Sequence, residues 1–476
     1  MDDLPPAMTA APAARPPLTG PALPRRAMGR VERMLDAPIL PTLLRLAAPN
    51  LVVILAQAAA TFLESYFLGL LGTDVLAGTA LVFPVIMLMQ MMSAGAVGGG
   101  ISSAIARAIG AGRLDDAEAL ALHAIIIALA LGAITTTAIL LGGPLLYRAM
   151  GGSGATLTAA LGYSNVVFAG AVALWLLNSL ASILRGSGNM VLPAIVLAVG
   201  AVALLGVSPA LIFGIGPLPA LGVTGAGLAL VLFYGLGSAV LAVHLLLGRG
   251  AVRLTFRHAL QGRLFAEVLR VGLLSAVNTL LINLSIALAT SFAASSGVGA
   301  LAGYGLGLRL EYLQIPIAFG FGAALVALVG INIGAGQHDR ACRIALTGAF
   351  VVGLLTETIG LAAASFPTAW IGLFTRDPGV IASGALYLRT VAPAYGALGF
   401  GTALYFASQG VGRMGWPIAG GIVRLLIIGL GGWVVTRGAG DRLPFLCAVL
   451  ATGLVAIAVI NLVPWLRQLL GQRRRA

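Results

Sequence analysis

Three carboxylates lie inside the apolar spans. Glu64 lies in FLESYFLGLLG, Glu311 in LRLEYLQIP and Glu357 in LLTETIG, each inside a long apolar run. An ionised acid at the centre of a bilayer costs at least about 2.5–3.5 kcal/mol. Such an acid takes up a proton, binds a cation or finds a partner. Burial disfavours the charged form and a neighbouring cation favours it. An acid in a cavity can therefore exchange H⁺, or hold Na⁺, as its surroundings change. Glu64, Glu311 and Glu357 are the candidate cation-coupling residues. Each has an alternative. Glu64 is about five residues before Gly69, roughly 8 Å inside the end of a helix, and can snorkel to water. Glu311 is two residues from Arg309, so on one helix the two cannot face each other, and either can form a structural ion pair with another helix. Glu357 can be a neutral, hydrogen-bonded group. Arg424, in GGIVRLLIIG, has no acid near it in sequence and needs a carboxylate, carbonyls or water.

The candidates for lining a substrate cavity are Gln57, Tyr66, Gln90, Asn178, Asn283, Arg309, Tyr312, Gln314, Tyr405 and Arg424, with Tyr304, Tyr395 and Gln409 beside them. The alternative for each is a hydrogen bond between helices. Met87, Met89, Met91 and Met92 suit packing, or an adaptable wall. The four histidines show no metal spacing, and Cys342 and Cys447 fit neither a disulfide framework nor a zinc site. No metal and no cofactor is expected beyond the coupling ion, H⁺ or Na⁺. No Walker A sequence is present, which argues against ATP coupling within the chain.

The elements that hold these groups follow from composition. Of 476 residues, 59% are hydrophobic and 9% charged, and the mean hydropathy is +1.03. A soluble protein carries roughly 25% charged residues, so the chain reads as an all-α polytopic membrane protein. Its 65 glycines suit close helix approach in lipid. Twelve apolar stretches are long enough to span: 42–70, 76–106, 118–142, 156–184, 190–213, 222–247, 264–295, 300–333, 341–365, 380–408, 414–435 and 443–468. The formal net charge is +13 and every basic residue is Arg. No patch of the nucleic-acid type appears. With both termini inside, 21 arginines fall on the inner side and four (Arg148, Arg376, Arg437, Arg442) on the outer, with Arg309, Arg389 and Arg424 within spans. This bias predicts cytoplasmic termini in a bacterial-type inner membrane.

GAGRLDDA (110–117) matches GAGQHDRA (334–341), and RGSGNMVLP (185–193) matches QGVGRMGWP (409–417), both at an offset of 224. The same offset maps Gln90 onto Gln314 and Tyr163 onto Tyr387. Six spans per half is an even number, so the repeats are parallel. The expected organisation is a disordered tail (1–36), an N-terminal six-helix lobe (37–248), a basic linker (249–263), a C-terminal six-helix lobe (264–470) and a basic tail (471–476). Two similar lobes around a cleft suit alternating access, and so a transporter. The three acids do not map onto one another: Glu64 meets Leu288, Glu311 meets Met87 and Glu357 meets Ala133. Pro49, Pro84, Pro193, Pro316, Pro393 and Pro417 mark kinks or packing, and GAVGGG (95–100) a close contact or a hinge.

The chain resembles the multidrug and toxic compound extrusion (MATE) transporters. The resemblance runs from Ala37 to Leu470 through LAAPNLVVILAQAAATFLESYFLGLLGTDVLAGTAL, SSAIARAIGAGRLDDA, LRGSGNMVLP, LIFGIGPLPALGVTGAGLAL, VGINIGAGQHDRA, YLRTVAPAY and SQGVGRMGWP. It implies a V-shaped pair of six-helix lobes that exports amphipathic or cationic small molecules against H⁺ or Na⁺. It also implies that Glu64 matches the family's first-span acid. The Asn and Asp that many members carry in span five correspond to Leu204 and Ser208, which favours a proton over Na⁺. The span-seven acid of many members is absent. Asn283 is the nearest polar group, and Glu311 and Glu357 are the substitutes. The expected partners are an organic cation as substrate and membrane lipid, in a monomer. The rival readings are a lipid-linked precursor flippase, which needs a strongly cationic cavity, an intramembrane transferase, which needs clustered His/Asp or paired carboxylates, and a channel.

Overall fold

The computed structural model describes residues 25–215, 219–437 and 442–473. Among these, the regular elements are all helical. They are α1 (Arg25–Asp36), α2 (Ile39–Leu70), α3 (Thr73–Gln90), a π-helical turn (Met91–Val97), α4 (Gly98–Gly110), α5 (Leu114–Ala149), α6 (Gly154–Ala169), α7 (Ala171–Gly186), α8 (Val191–Phe213), α9 (Val223–Leu246), α10 (Gly262–Ala294), α11 (Val298–Gly334), α12 (His338–Ser365), α13 (Pro367–Ile371), α14 (Pro378–Val391), a 3₁₀ turn (Ala392–Ala394), α15 (Tyr395–Val411), α16 (Gly415–Arg437) and α17 (Arg442–Arg473).

Ten spans are long and apolar enough to cross a membrane alone, the second of them running through α3, the π turn and α4 (Thr73–Gly110). The α6–α7 pair, bent by 48°, adds an eleventh, and α14–3₁₀–α15 completes twelve. The two broken spans are repeat partners. The first bends at Gly170, and Gly170 plus 224 is Ala394, the last residue of the 3₁₀ turn. Pro393 supplies the second break by removing a backbone donor. Pro49, Pro84 and Pro316 lie inside helices. Pro193 and Pro417 instead occupy first turns, where a missing N–H leaves no bond unmade.

α1 corrects the expected tail. Composition alone placed residues 1–36 in a disordered segment, yet residues 25–36 form a helix. Ala27, Val31, Met34 and Leu35 recur at helical spacing and are buried. Asn332 Nδ2 of α11 donates to Met34 O at 3.1 Å, and the Met34 sulfur lies against Gly188. The rest of that tail, residues 1–24, lies outside the described residues. The basic tail begins within α17, and its residues 474–476 lie outside them too.

The linker between α9 and α10 packs on the N-terminal lobe. His123 is fully buried in α5. Its Nδ1 pairs with Ala119 O at 2.7 Å, which leaves Nε2 to accept from the Gln261 N–H at 2.9 Å. His258 approaches Glu118 at 3.6 Å and Arg263 approaches Asp116 at 3.3 Å.

The lobes meet where small residues let backbones touch. α4 (GGGISSAIARAIG) is buried at all but one of its 13 residues and packs against α10, α11 and α15. A Cβ on Gly110 would collide with Ile331 O, and one on Gly334 with Arg107 O. These contacts are reciprocal under the 224-residue offset, so the local two-fold of the repeat passes through the α4–α11 crossing. GAVGGG is a packing surface: a Cβ on Gly99 would lie 2.5 Å from Gln409 Oε1, and one on Gly100 2.6 Å from Val268 O.

Candidate functional site

The N-terminal lobe holds one acid at depth. Glu64 projects from α2 toward α6 and accepts a hydrogen bond from Tyr163 OH at 3.1 Å. Tyr234 of α9 is a second phenol beside it. Glu64 also lines a cavity of about 10 Å³ with Ala60, Phe67, Leu204, Leu205 and Ser208, room for one water-sized occupant. Ser208 Oγ is buried there without a protein partner. Leu204 and Ser208 thus share the cavity with the acid, at the positions that the family resemblance singled out. The side-chain oxygens on hand are one carboxylate, one hydroxyl and two phenols, one of them already donating. A hard cation takes about six oxygens, so the donor set suits a proton better than a metal ion.

The C-terminal lobe repeats the motif with a different acid. Tyr387, the repeat partner of Tyr163, donates to Glu311 Oε2 at 3.1 Å. The space beside the Tyr387 ring exists because residue 307 is glycine. Tyr304 meets the same ring edge-on, with centroids 5.5 Å apart. Arg424 of α16 brings Nη2 to 3.7 Å from Glu311 Oε1. Glu311, Arg424, Tyr304, Tyr387 and Ser285 line a second cavity of about 10 Å³. Ile428, on its wall, is the repeat partner of Leu204, so the two cavities occupy corresponding places in the lobes. Arg309 turns away from Glu311 and stacks over Phe374 at 5.5 Å.

Glu357 has a different setting. Its Oε2 accepts from the Gly396 N–H at 2.6 Å. That donor lies in the first turn of α15, beside the Pro393 break, where helix N–H groups lack intrahelical partners. Glu357 therefore satisfies a broken helix.

Two polar clusters sit near the lobe interface. Asn178 donates to Ser93 Oγ at 2.7 Å and to Gln90 Oε1 at 3.4 Å. Gln409 Nε2 reaches Gly95 O (3.0 Å), Ser275 Oγ (2.8 Å) and Tyr405 OH (3.0 Å). The other cavity candidates are not gathered. Tyr66, Asn283, Arg309 and Tyr312 are exposed, Gln57 is half-buried, and Gln314 folds back on Leu310 O of its own helix.

The hydrogen bonds and ion pairs that join the lobes lie in the half nearer the linker. Arg107 of α4 contacts Glu267 at 3.2 Å and Gly410 O at 3.3 Å, and also bonds Ser103. Ser103 reaches Gln409 O, Asn50 Nδ2 reaches Gly320 O at 3.3 Å, and Arg340 reaches Ala37 O. The helix ends beyond Glu64 and Glu311 carry no such bond among the described residues. Sequence reading missed Tyr163, Tyr387 and Arg107 as site residues. The offset that paired the tyrosines was the available signal for two of them, and Arg107 had none.

Comparison with known proteins agrees with this architecture. The MatE family model matches residues 49–212 and 275–433. A FAD transporter of Shewanella oneidensis is 28% identical over 387 residues, covering 78% of this chain and 83% of the relative. A probable multidrug resistance protein NorM of Thermotoga maritima is 26% identical over 352 residues, covering 73% and 75%. An outward-facing multidrug resistance MATE transporter of the MOP superfamily superposes with a TM-score of 0.83 at 23% identity, covering 95% of this chain and all of that one. With 323 of its 476 residues inside that match and both lobes built on its fold, the chain belongs to the MatE family and is a membrane transporter, not an enzyme.

Proposed function

We propose that the chain is a proton-coupled antiporter of a bacterial plasma membrane that exports amphipathic or cationic small molecules, with Glu64 as the coupling group. One observation carries the reading. Glu64 is the single acid deep in the N-terminal lobe among the described residues, it is held by Tyr163, and it faces a small cavity lined otherwise by apolar side chains and Ser208, with no arginine on its wall. The arginine bias puts the linker and both termini in the cytoplasm. The lobes are bonded on that side, so this state opens outward.

In the cycle, an inward-open cleft with Glu64 ionised accepts the substrate. The lobes rock and open outward. A proton from outside neutralises Glu64, removes the charge-assisted acceptor of Tyr163 OH and weakens the hold on substrate. The substrate leaves, the lobes return and the proton exits inside. Coupling is the difference in the acid's proton affinity between the two states, expressed as free energy.

The test is efflux from proteoliposomes of a fluorescent organic cation, first under an imposed pH gradient and then under a Na⁺ gradient. Glu64→Gln folds, binds the cation and loses pH-driven efflux. Unchanged efflux in that variant, or efflux driven by Na⁺ alone, rejects the reading. The FAD transporter among the relatives makes FAD the second compound to assay, and buried Arg424 gives an acidic substrate positive charge at membrane depth.

A further inference from the structure

Arg424 is a guanidinium without its hydrogen bonds. Its side chain is 7% exposed, and that of Glu311, its one ion-pair partner among the described residues, is 9% exposed. At 3.7 Å the contact between them is too long for a hydrogen bond. Arg424 Nε has no acceptor at all. A guanidinium carries five N–H donors, and leaving a buried charged group unsatisfied is severely unfavourable. The space its donors share with Glu311, Tyr304, Tyr387 and Ser285 is the C-lobe cavity, which has room for one small occupant. That occupant must accept hydrogen bonds.

Charge decides what the occupant is. With Glu311 ionised the pair is neutral and the cavity suits water. An added cation would leave the buried site at +1. If Glu311 takes a proton instead, Arg424 loses its counter-charge and the site is again at +1, until an anion enters and restores neutrality. We propose that this cavity binds a small anion on Arg424 together with a proton on Glu311. The bookkeeping balances: one H⁺ joins the Glu311 carboxylate, one monovalent anion replaces that carboxylate as partner of Arg424, and net charge stays at zero. The anion is either a free halide or the acidic group of a transported compound.

The ionisable groups around Glu311 fit this exchange. Arg424 faces it from α16, Tyr387 from α14 and Tyr304 from its own helix, while Tyr395 at the head of α15 turns its hydroxyl to Gly307 O and Tyr312 is exposed. α10 contributes the hydroxyl of Ser285, and α17 only Leu450 and Leu454. Two phenols and one guanidinium line the cavity, and Glu311 is the only acid on its wall among the described residues. The N-lobe cavity, with no arginine, has no such second state.

The test is the thermal stability of the full-length protein in detergent, with sodium bromide as the halide probe, sodium acetate as the carboxylate probe and sodium gluconate as the inert control, at pH 5 and pH 8. It needs no transport and does not depend on Glu64. A ligand that binds only the folded state raises Tm with concentration. Wild type gains about 2 °C or more with bromide or acetate at pH 5 and nothing at pH 8. Glu311→Gln, which mimics the protonated acid, gains at both pH values, and Arg424→Met gains at neither. Response to bromide alone assigns the site to a free ion, and response to acetate to an acidic group of substrate; either supports the proposal. It is overturned if Glu311→Gln responds to neither salt, if wild type responds equally at both pH values or at neither, or if Arg424→Met keeps the response. Should Arg424→Met fail to fold, the Glu311→Gln comparison decides alone.

Discussion

Adding one methyl group at the α4–α11 crossing should shift the whole molecule. In Gly334→Ala the new Cβ would collide with Arg107 O, a backbone atom of a buried helix that cannot rotate away. Overpacking of this kind costs about 1–3 kcal/mol. Alanine also gains about 1 kcal/mol over glycine within a helix interior, but Gly334 is the last residue of α11, and a gain in local helix propensity does not depend on whether the lobes touch. The clash exists only while the lobes are bonded. Taking about 2 kcal/mol, the ratio of bonded to separated linker faces falls roughly thirtyfold. Gly110→Ala should do the same through Ile331 O, and the double variant should add less than the sum, because one crossing relaxes for both. The assay is the distance distribution between spin labels at Asp115 and His338, both exposed and on opposite lobes at the linker face. Cys342 and Cys447 are buried and leave the labelling clean. The variants should add a longer-distance population while Tm stays within a few degrees. A distribution identical to that of the parent would refute the idea that this crossing holds the closed face together.

Tyr163→Phe removes the donor at 3.1 Å from Glu64; a bond to a charged group is worth about 1.5–3 kcal/mol, so pH-driven efflux should fall about tenfold or more while cation binding in detergent persists. Glu357→Gln keeps an oxygen for the Gly396 N–H and should transport like wild type, whereas Glu357→Leu leaves that donor unpaired and should lose about 1–3 kcal/mol of stability, read as a lower Tm. His123→Leu removes the acceptor of the Gln261 N–H and should speed proteolysis within residues 247–261, with efflux rate as the control.

The spans were legible because their signal is local. A run of about twenty apolar residues needs no partner to be recognised, and the predicted limits fall within several residues of the helices. The repeat was legible because glycine is held in place by backbone contact. Gly110 and Gly334 sit in matched motifs and make matched contacts with Arg107 O and Ile331 O. The partners of the charged groups were not legible, since each bond depends on how two distant helices are rotated. Nothing near Arg424 announces Glu311, 113 residues earlier. α1 was hidden for another reason. Its apolar face is only four residues wide, and the proline-rich sequence before it dominates the composition.

The mismatch between the acids then has a mechanical consequence. A duplicated bundle with the same acid at the same place would change charge in both lobes together. Here each lobe keeps the repeat's tyrosine and its cavity, but the acids come from non-equivalent helices, α2 in one lobe and α11 in the other. Only the second acid carries an arginine. A proton entering the N-lobe cavity alters its net charge, and nothing on the wall offsets it. In the C-lobe cavity an accompanying anion can hold net charge at zero. On the proposed coupling, electrostatic work on the lobe interface is therefore done by the N-terminal lobe, against a C-terminal lobe whose net charge the anion holds constant. A transporter built this way should lose its pH response with Glu64→Gln alone, and should keep it in Glu311→Gln.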